Sequence, residues 1–258
     1  MKLKSKTSVD RETLVQFLAQ ELQVARFRDY CPNGLQVEGR NAISRIVSGV
    51  TACQALLDQA VALKADAVLV HHGYFWRGED MRLVGHKMRR IQTLVTHQMS
   101  LFAYHLPLDA HPVLGNNAQL AARLGLQHEG HFGEDNLGWL GQVNLPEMKT
   151  VGQFAAHIEV QLGRRPTLIG DPDQALGKVA WCTGAAHTML GQAIEAGASL
   201  YLSGEISEPT VHLARETQTA YLACGHHATE RYGVQALGAL LQERFGIEHQ
   251  FVDIDNPV

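Results

Sequence analysis

Paired cysteines are missing from this sequence. Cys31, Cys53, Cys182 and Cys224 stand far apart, and none forms a C-x-x-C pair. That excludes the common thiolate metal knuckle and fits a reduced, cytoplasmic chain in which cysteine is a small apolar filler. No run of about 18 apolar residues occurs, so nothing is expected to span a bilayer. A strong charge of either sign is also missing. The net charge of −4 and pI near 6.4 give no electrostatic case for nucleic acid or membrane surfaces. No P-loop is present. The opening MKLKSKTS has three lysines but no apolar stretch behind them, so it does not read as a secretory signal.

What is plentiful is histidine. Fourteen in 258 residues is the compositional outlier, and it raises the expectation of metal or acid–base chemistry. Apolar and charged contents of 45% and 19% are otherwise those of a globular chain.

The organising stretch is Val68–Gly73, VLVHHG. A short apolar run bounded by glycine reads as a buried strand, here ending in His71 and His72. Ligands of open α/β sheets gather outside the carboxyl ends of strands. Neighbouring strand residues face opposite sides, so the strand is expected either to break here or to serve two ions.

Residues 1–9 read as a solvated tail. Asp10 is the expected N-cap of a first helix with apolar Leu14, Phe17, Leu18 and Leu22. Asp29–Gly39 reads as a turn-rich connector through Pro32, Asn33 and Gly34. Strand Ile46–Val50, helix Gln54–Leu63 and strand Ala67–Val70 make a β-α-β unit with a right-handed crossover. Helix Met88–Met99 and strand Ser100–Tyr104 follow, running into HLPLDAH, His105–His111. Helix Asn117–Leu124 is stopped by Gly125. Residues 127–177 read as a connecting hairpin and helix, then a short strand Arg165–Ile169, and His128, His131 and His157 there read as structural. A long helix, Thr229–Phe245, is stopped by Gly246 before the closing strand Glu248–Ile254.

The chain also repeats itself. Lys178–Glu205 lies on Arg45–His72 without a gap at an offset of 133, which places Glu205 on His72. Downstream, a strand then His105 and Asp109 matches a strand then His226 and Glu230. The fold expected is α/β, with two duplicated β-α-β lobes of mainly parallel strands and a metal site in the cleft between them. The lobes are expected over 10–126 and 178–258.

His226 and Glu230 lie one turn apart if the last helix starts near His226, so both reach one ion. His227 competes, but points about 100° away. Asp109, flanked by Pro107 and Pro112, suits a rigid loop. Either His105 or His111 would orient a ligand. Three imidazoles and two carboxylates suit two divalent ions, with Fe, Zn and Mn all open. Their residual charge of about +2 would attract a phosphate and activate a water.

PNGLQVEG, VHHGYFW, YHLPLDAH, SGE and GHHATE together resemble the Nif-three-like family, also labelled GTP cyclohydrolase 1 type 2 homologues, in its bacterial YbgI-like branch. The resemblance covers nearly all of the chain beyond its first eight or so residues. It implies a dinuclear metal centre and a ring-shaped homohexamer. It also implies His71 and His226 on one ion, His72 and Asp109 on the other, and Glu230 as the bridge, with His105 and Glu205 nearby. The expectation is a metal-dependent hydrolase of a nucleotide or another phosphorylated small molecule, with His105 or Glu205 moving protons. The alternative is a non-catalytic, metal-holding ring or adaptor.

Overall fold

A computed structural model describes residues 7–258. Two compact units emerge. One runs to Leu108 and resumes over Gly233–Asp255; the other comprises Asp109–Tyr232 and Asn256–Val258.

The first unit is built on a five-stranded sheet. Its order is Glu248–Phe251, Arg45–Thr51, Ala67–His72, Ser100–Ala103 and Gly34–Val37. The first four are parallel and the last antiparallel. Parallel strands covered on both faces need apolar runs rather than alternation, which is why Val47, Val68, Val70 and Leu101 are all buried. Helices Gln54–Ala62 and Gly85–Thr96 add Leu56, Leu57, Ala60 and Leu94 to that core. The second helix lies three residues earlier than its apolar pattern predicts. Gln98 takes a left-handed φ of 50° and the Met99 N–H bonds to the Leu94 carbonyl, so the chain must leave the helix to enter the next strand.

Two expectations fail here. The connector Asp29–Gly39 contains the edge strand Gly34–Val37, paired to Ser100–Ala103 with a bulge after Leu35. Of the expected tail, residues 1–6 lie outside the described residues, while Val9–Asp10 pairs antiparallel with Ala42–Ile43. Asp10 does occupy the N-cap position of helix Arg11–Glu21, but its side chain instead accepts from Asn41.

The second unit holds a six-stranded sheet in the order Leu126–Phe132, Gly138–Val143, Val179–Trp181, Leu200–Ser203, Ala220–Ala223 and Thr167–Ile169. The three strands from Val179 to Ala223 run parallel; the remaining pairings are antiparallel. Helix Val151–Leu162 begins with a reciprocal capping box between Thr150 and Gln153 and stops at left-handed Gly163. Its Phe154, Ile158 and Leu162 are buried with Val179, Trp181 and Leu222. The segment 127–177 is therefore not a connector. It supplies a hairpin, an edge strand and a core helix to this unit. The expected lobes, 10–126 and 178–258, do not coincide with the two units, because glycine punctuation marks the hairpin and not a boundary.

Both sheets share one register. Ile46 pairs with Ala67 in the first and Val179 with Leu200 in the second, each partner displaced by 133 residues. At the antiparallel edge, Leu35 faces Phe102 and Leu168 faces Leu222, displaced by 133 residues on one side and by 120 on the other.

Candidate metal centre

In the first unit, strand Ala67–His72 continues through both histidines. On one side its ladder reaches His72 opposite Thr51; on the other it ends at Val70 opposite Ala103. Of the two alternatives, a break or two ions, the strand takes no break, yet the two rings do not diverge. Released from one neighbour, the end of the strand lets their centroids approach to 4.5 Å with a 45° tilt. One nitrogen from each of His71, His72 and His105 lies within 4.8 Å of the other two. Gly73 is required just beyond, since a Cβ would sit 2.6 Å from that of Ala103.

Each imidazole is held from behind. His71 is fully buried, and its Nδ1 donates to the Tyr104 carbonyl at 2.8 Å. A carbonyl only accepts, so Nδ1 carries the proton and Nε2 the lone pair that a metal takes. Nδ1 of His72 lies 3.2 Å from the Thr51 hydroxyl. Nδ1 of His105 lies 2.7 Å from the Asp29 carboxylate.

Asp29 drew no attention in the sequence, where it opens a turn-rich loop. Its carboxylate also accepts from the backbone N–H of Tyr30 and Leu106 and from Asn33 Nδ2, at 2.6, 2.9 and 2.8 Å. Burial works against its charge, but the hydrogen bond and charge of His105, with those other donors, hold its pKa down at about 2.

In the second unit, Asp109 closes the one-turn helix Leu106–Asp109 rather than sitting in a loop. Asn116 Nδ2 and the Thr183 hydroxyl donate to its Oδ1 at 2.8 and 3.3 Å. The last helix begins at His226, directly after left-handed Gly225. His226 Nε2 stands 3.1 Å from Glu230 Oε2, so the i,i+4 reading places His226, rather than His227, beside Glu230. Behind it, His226 Nδ1 lies 2.7 Å from Glu205 Oε1. Burial disfavours the charged ring, yet the bonds and charges of Glu230 and Glu205 raise its pKa to about 9. Gly184, at φ 68°, leaves space that any Cβ would deny to Glu230 Oε1.

Glu230 is 3% exposed and Asp109 7%, and one oxygen of each lies within 4.8 Å of the other. Two buried carboxylates so close repel unless a cation lies near both or one of them holds a proton. With imidazoles presenting Nε2, this donor set fits borderline divalent ions. His111 serves its own loop, where its Nδ1 accepts from the Leu114 N–H at 2.9 Å and closes a turn. His128 packs 4.4 Å from His131 and 4.2 Å from Trp139, as structural histidines do.

The model of the family described as Duf34/NIF3 (NGG1p interacting factor 3) matches residues 9–257. A Pseudomonas aeruginosa protein named GTP cyclohydrolase 1 type 2 homolog is 55% identical over 248 residues, covering 95% of this chain and 97% of that one. A solved structure described as protein ybgI, of unknown function, aligns with a TM-score of 0.92 at 46% identity, covering 97% of this chain and 100% of its own. A crystal structure of a Thermus thermophilus protein aligns with a TM-score of 0.85 at 31% identity, covering 97% of this chain and 100% of its own. Among the described residues, no helix is long and apolar enough to cross a membrane.

Proposed function

Because this chain belongs to the Duf34/NIF3 family, we propose that it is a dinuclear metal protein and a hydrolase of a nucleotide or another phosphorylated small molecule. The observation that carries the reading is the pairing of buried carboxylates with imidazoles whose Nδ1 atoms are already engaged. In this proposal His71 and His226 would hold one divalent ion and His72 and Asp109 the other, with Glu230 serving both. Fe, Zn and Mn all match the donors. Such ions supply Lewis acidity and positive charge toward an anionic substrate.

The chain's own residues do the rest. Tyr104 and Glu205 fix the tautomers of His71 and His226. Asn116 and Thr183 orient Asp109. His105, held by Asp29, and Glu205 move protons. The relatives' shared name makes GTP one substrate to try. The protein works in the cytoplasm, in keeping with four free cysteines, and assembles as a ring-shaped homohexamer, which native mass spectrometry checks.

The test begins with elemental analysis after chelator-free purification, where two ions per chain are expected and fewer than one defeats the metal reading. Metal-loaded protein is then incubated with a nucleotide panel while phosphate, formate and pterin release are followed. Turnover no higher than that of a His71→Ala, Glu230→Ala double variant defeats the hydrolase. Glu205→Ala is expected to weaken metal binding about 10- to 100-fold, by freeing the His226 ring. Competition against a chromogenic chelator measures this.

A further inference from the structure

We propose that Trp76 and Tyr30 form a subsite for the heteroaromatic ring of a nucleotide, beside the His71–His72–His105 cluster. The proposal rests on the metal reading above and narrows its substrate class from phosphorylated small molecules to nucleotides.

The turn after His72 is built to fix one ring. Gln36 brackets Tyr74, accepting from its N–H at 2.7 Å and donating to its carbonyl at 3.1 Å. Phe75 then takes a φ of 66°, a left-handed conformation that costs free energy for a bulky residue. Trp76 follows, held at two points, one of them itself anchored. Its N–H donates to Glu79 Oε2 at 3.2 Å, its indole N–H donates to the Gly73 carbonyl at 3.2 Å, and Lys87 Nζ anchors Glu79 at 3.3 Å. Strain of this kind persists where the surrounding contacts over-determine it, and such places cluster at ligand sites.

The ring so fixed stands at the imidazole cluster. Trp76 meets His105 edge-on at 5.0 Å and lies 5.9 Å from His72. It is half-buried, whereas Trp139 and Trp181 are core residues. Tyr30 meets His105 at 6.5 Å and is 57% exposed, a large aromatic surface left in water. Arg77 caps Tyr30 at 5.6 Å, and its backbone N–H ties the two loops together through the Tyr30 carbonyl at 2.7 Å.

Aromatic rings joined to a cation bind nucleobases by stacking, and stacking tolerates any base because every base has a π-face. No side chain here reads the edge of guanine. The subsite therefore selects nucleotides over base-free phosphates, and selects GTP over ATP only weakly.

Metal-loaded protein is titrated with GTP, ATP and inorganic triphosphate, by calorimetry and by tryptophan fluorescence. GTP and ATP are expected to bind about tenfold or more tightly than triphosphate and to quench Trp76. Trp76→Ala is expected to weaken both nucleotides about tenfold, leave triphosphate and metal content unchanged, and abolish the quench; Trp76→Phe restores most of the affinity. Nucleotides bound no more tightly than triphosphate, or a variant that weakens all three alike, overturns the subsite. Failure of triphosphate alone, on protein carrying two ions per chain, counts instead against the anion-binding role of the metal centre. If circular dichroism shows Trp76→Ala unfolded, Tyr30→Ala, on the exposed ring, takes its place under the same criteria.

Discussion

Glu230→Ala protein will carry at most one divalent ion per chain where two are proposed for the parent, with an affinity loss beyond about 100-fold at the weakened site. Glu230 is buried one turn into the last helix, i,i+4 from His226 at its start and within reach of Asp109. Orienting partners of metal ligands are worth 10- to 100-fold in affinity, and a bridging ligand lost from both ions exceeds that. Glu230→Gln preserves the side-chain volume and removes only the charge, so it separates ligand loss from a packing defect. Plasma mass spectrometry gives the count. Thermal melting gives an independent measure, since a ligand bound only by the folded state stabilises by RT ln(1 + [L]/Kd). Chelator should lower the melting point of the parent more than that of the variant. A Glu230→Ala protein with two ions per chain would refute the bridge.

Asp29→Ala will destabilise the fold by about 2 kcal/mol, through loss of charge-assisted hydrogen bonds near the imidazole cluster. The carboxylate accepts four hydrogen bonds, and its loss strands three partly buried donors, from His105, Asn33 and the Leu106 amide, and one exposed amide, that of Tyr30. Urea denaturation at neutral pH measures the difference. The pH dependence has a definite sign. The Asp29 pKa is about 2 in the folded protein against 3.8 for the ordinary group, so its contribution is complete above about pH 4 and is lost as the pH falls toward 2. Parent and variant should therefore converge in stability across that window. A gap that stays constant from pH 5 to pH 2 would show that Asp29 acts by packing and not by charge.

The parallel strands were legible because burial on both faces leaves an apolar run bounded by turn residues, as in Ala67–Val70 and Ser100–Ala103. The offset of 133 was legible as weak residue matches and returned as strand register. Less visible were edges. Gly34–Val37 pairs on one side only, so its residues are half-buried and its composition is that of a turn. The unit boundaries were invisible too, because they depend on which core Phe154 and Ile158 join, and periodicity does not report that. At the site, spacing predicted the His226–Glu230 contact, since a helix fixes i,i+4 neighbours. It did not predict Asp29, 76 residues from His105. Nor did it predict Thr183 and Asn116, whose hydrogen bonds to Asp109 exist only after the chain has folded.

The imidazoles lean on unlike supports. His71 backs onto a peptide carbonyl, His72 onto a hydroxyl and His226 onto a carboxylate. A hydrogen bond to an anion pushes more electron density into the ring than one to a neutral oxygen, making the far nitrogen a stronger donor. If the ligands divide as proposed, one berth would offer two imidazoles, one of them backed by a carboxylate, and the other an imidazole and the harder, anionic Asp109 carboxylate. The two positions are then unequal before any metal arrives. Loading would proceed in two steps of different affinity, and a mixture of metals would sort between the berths by hardness instead of filling them at random.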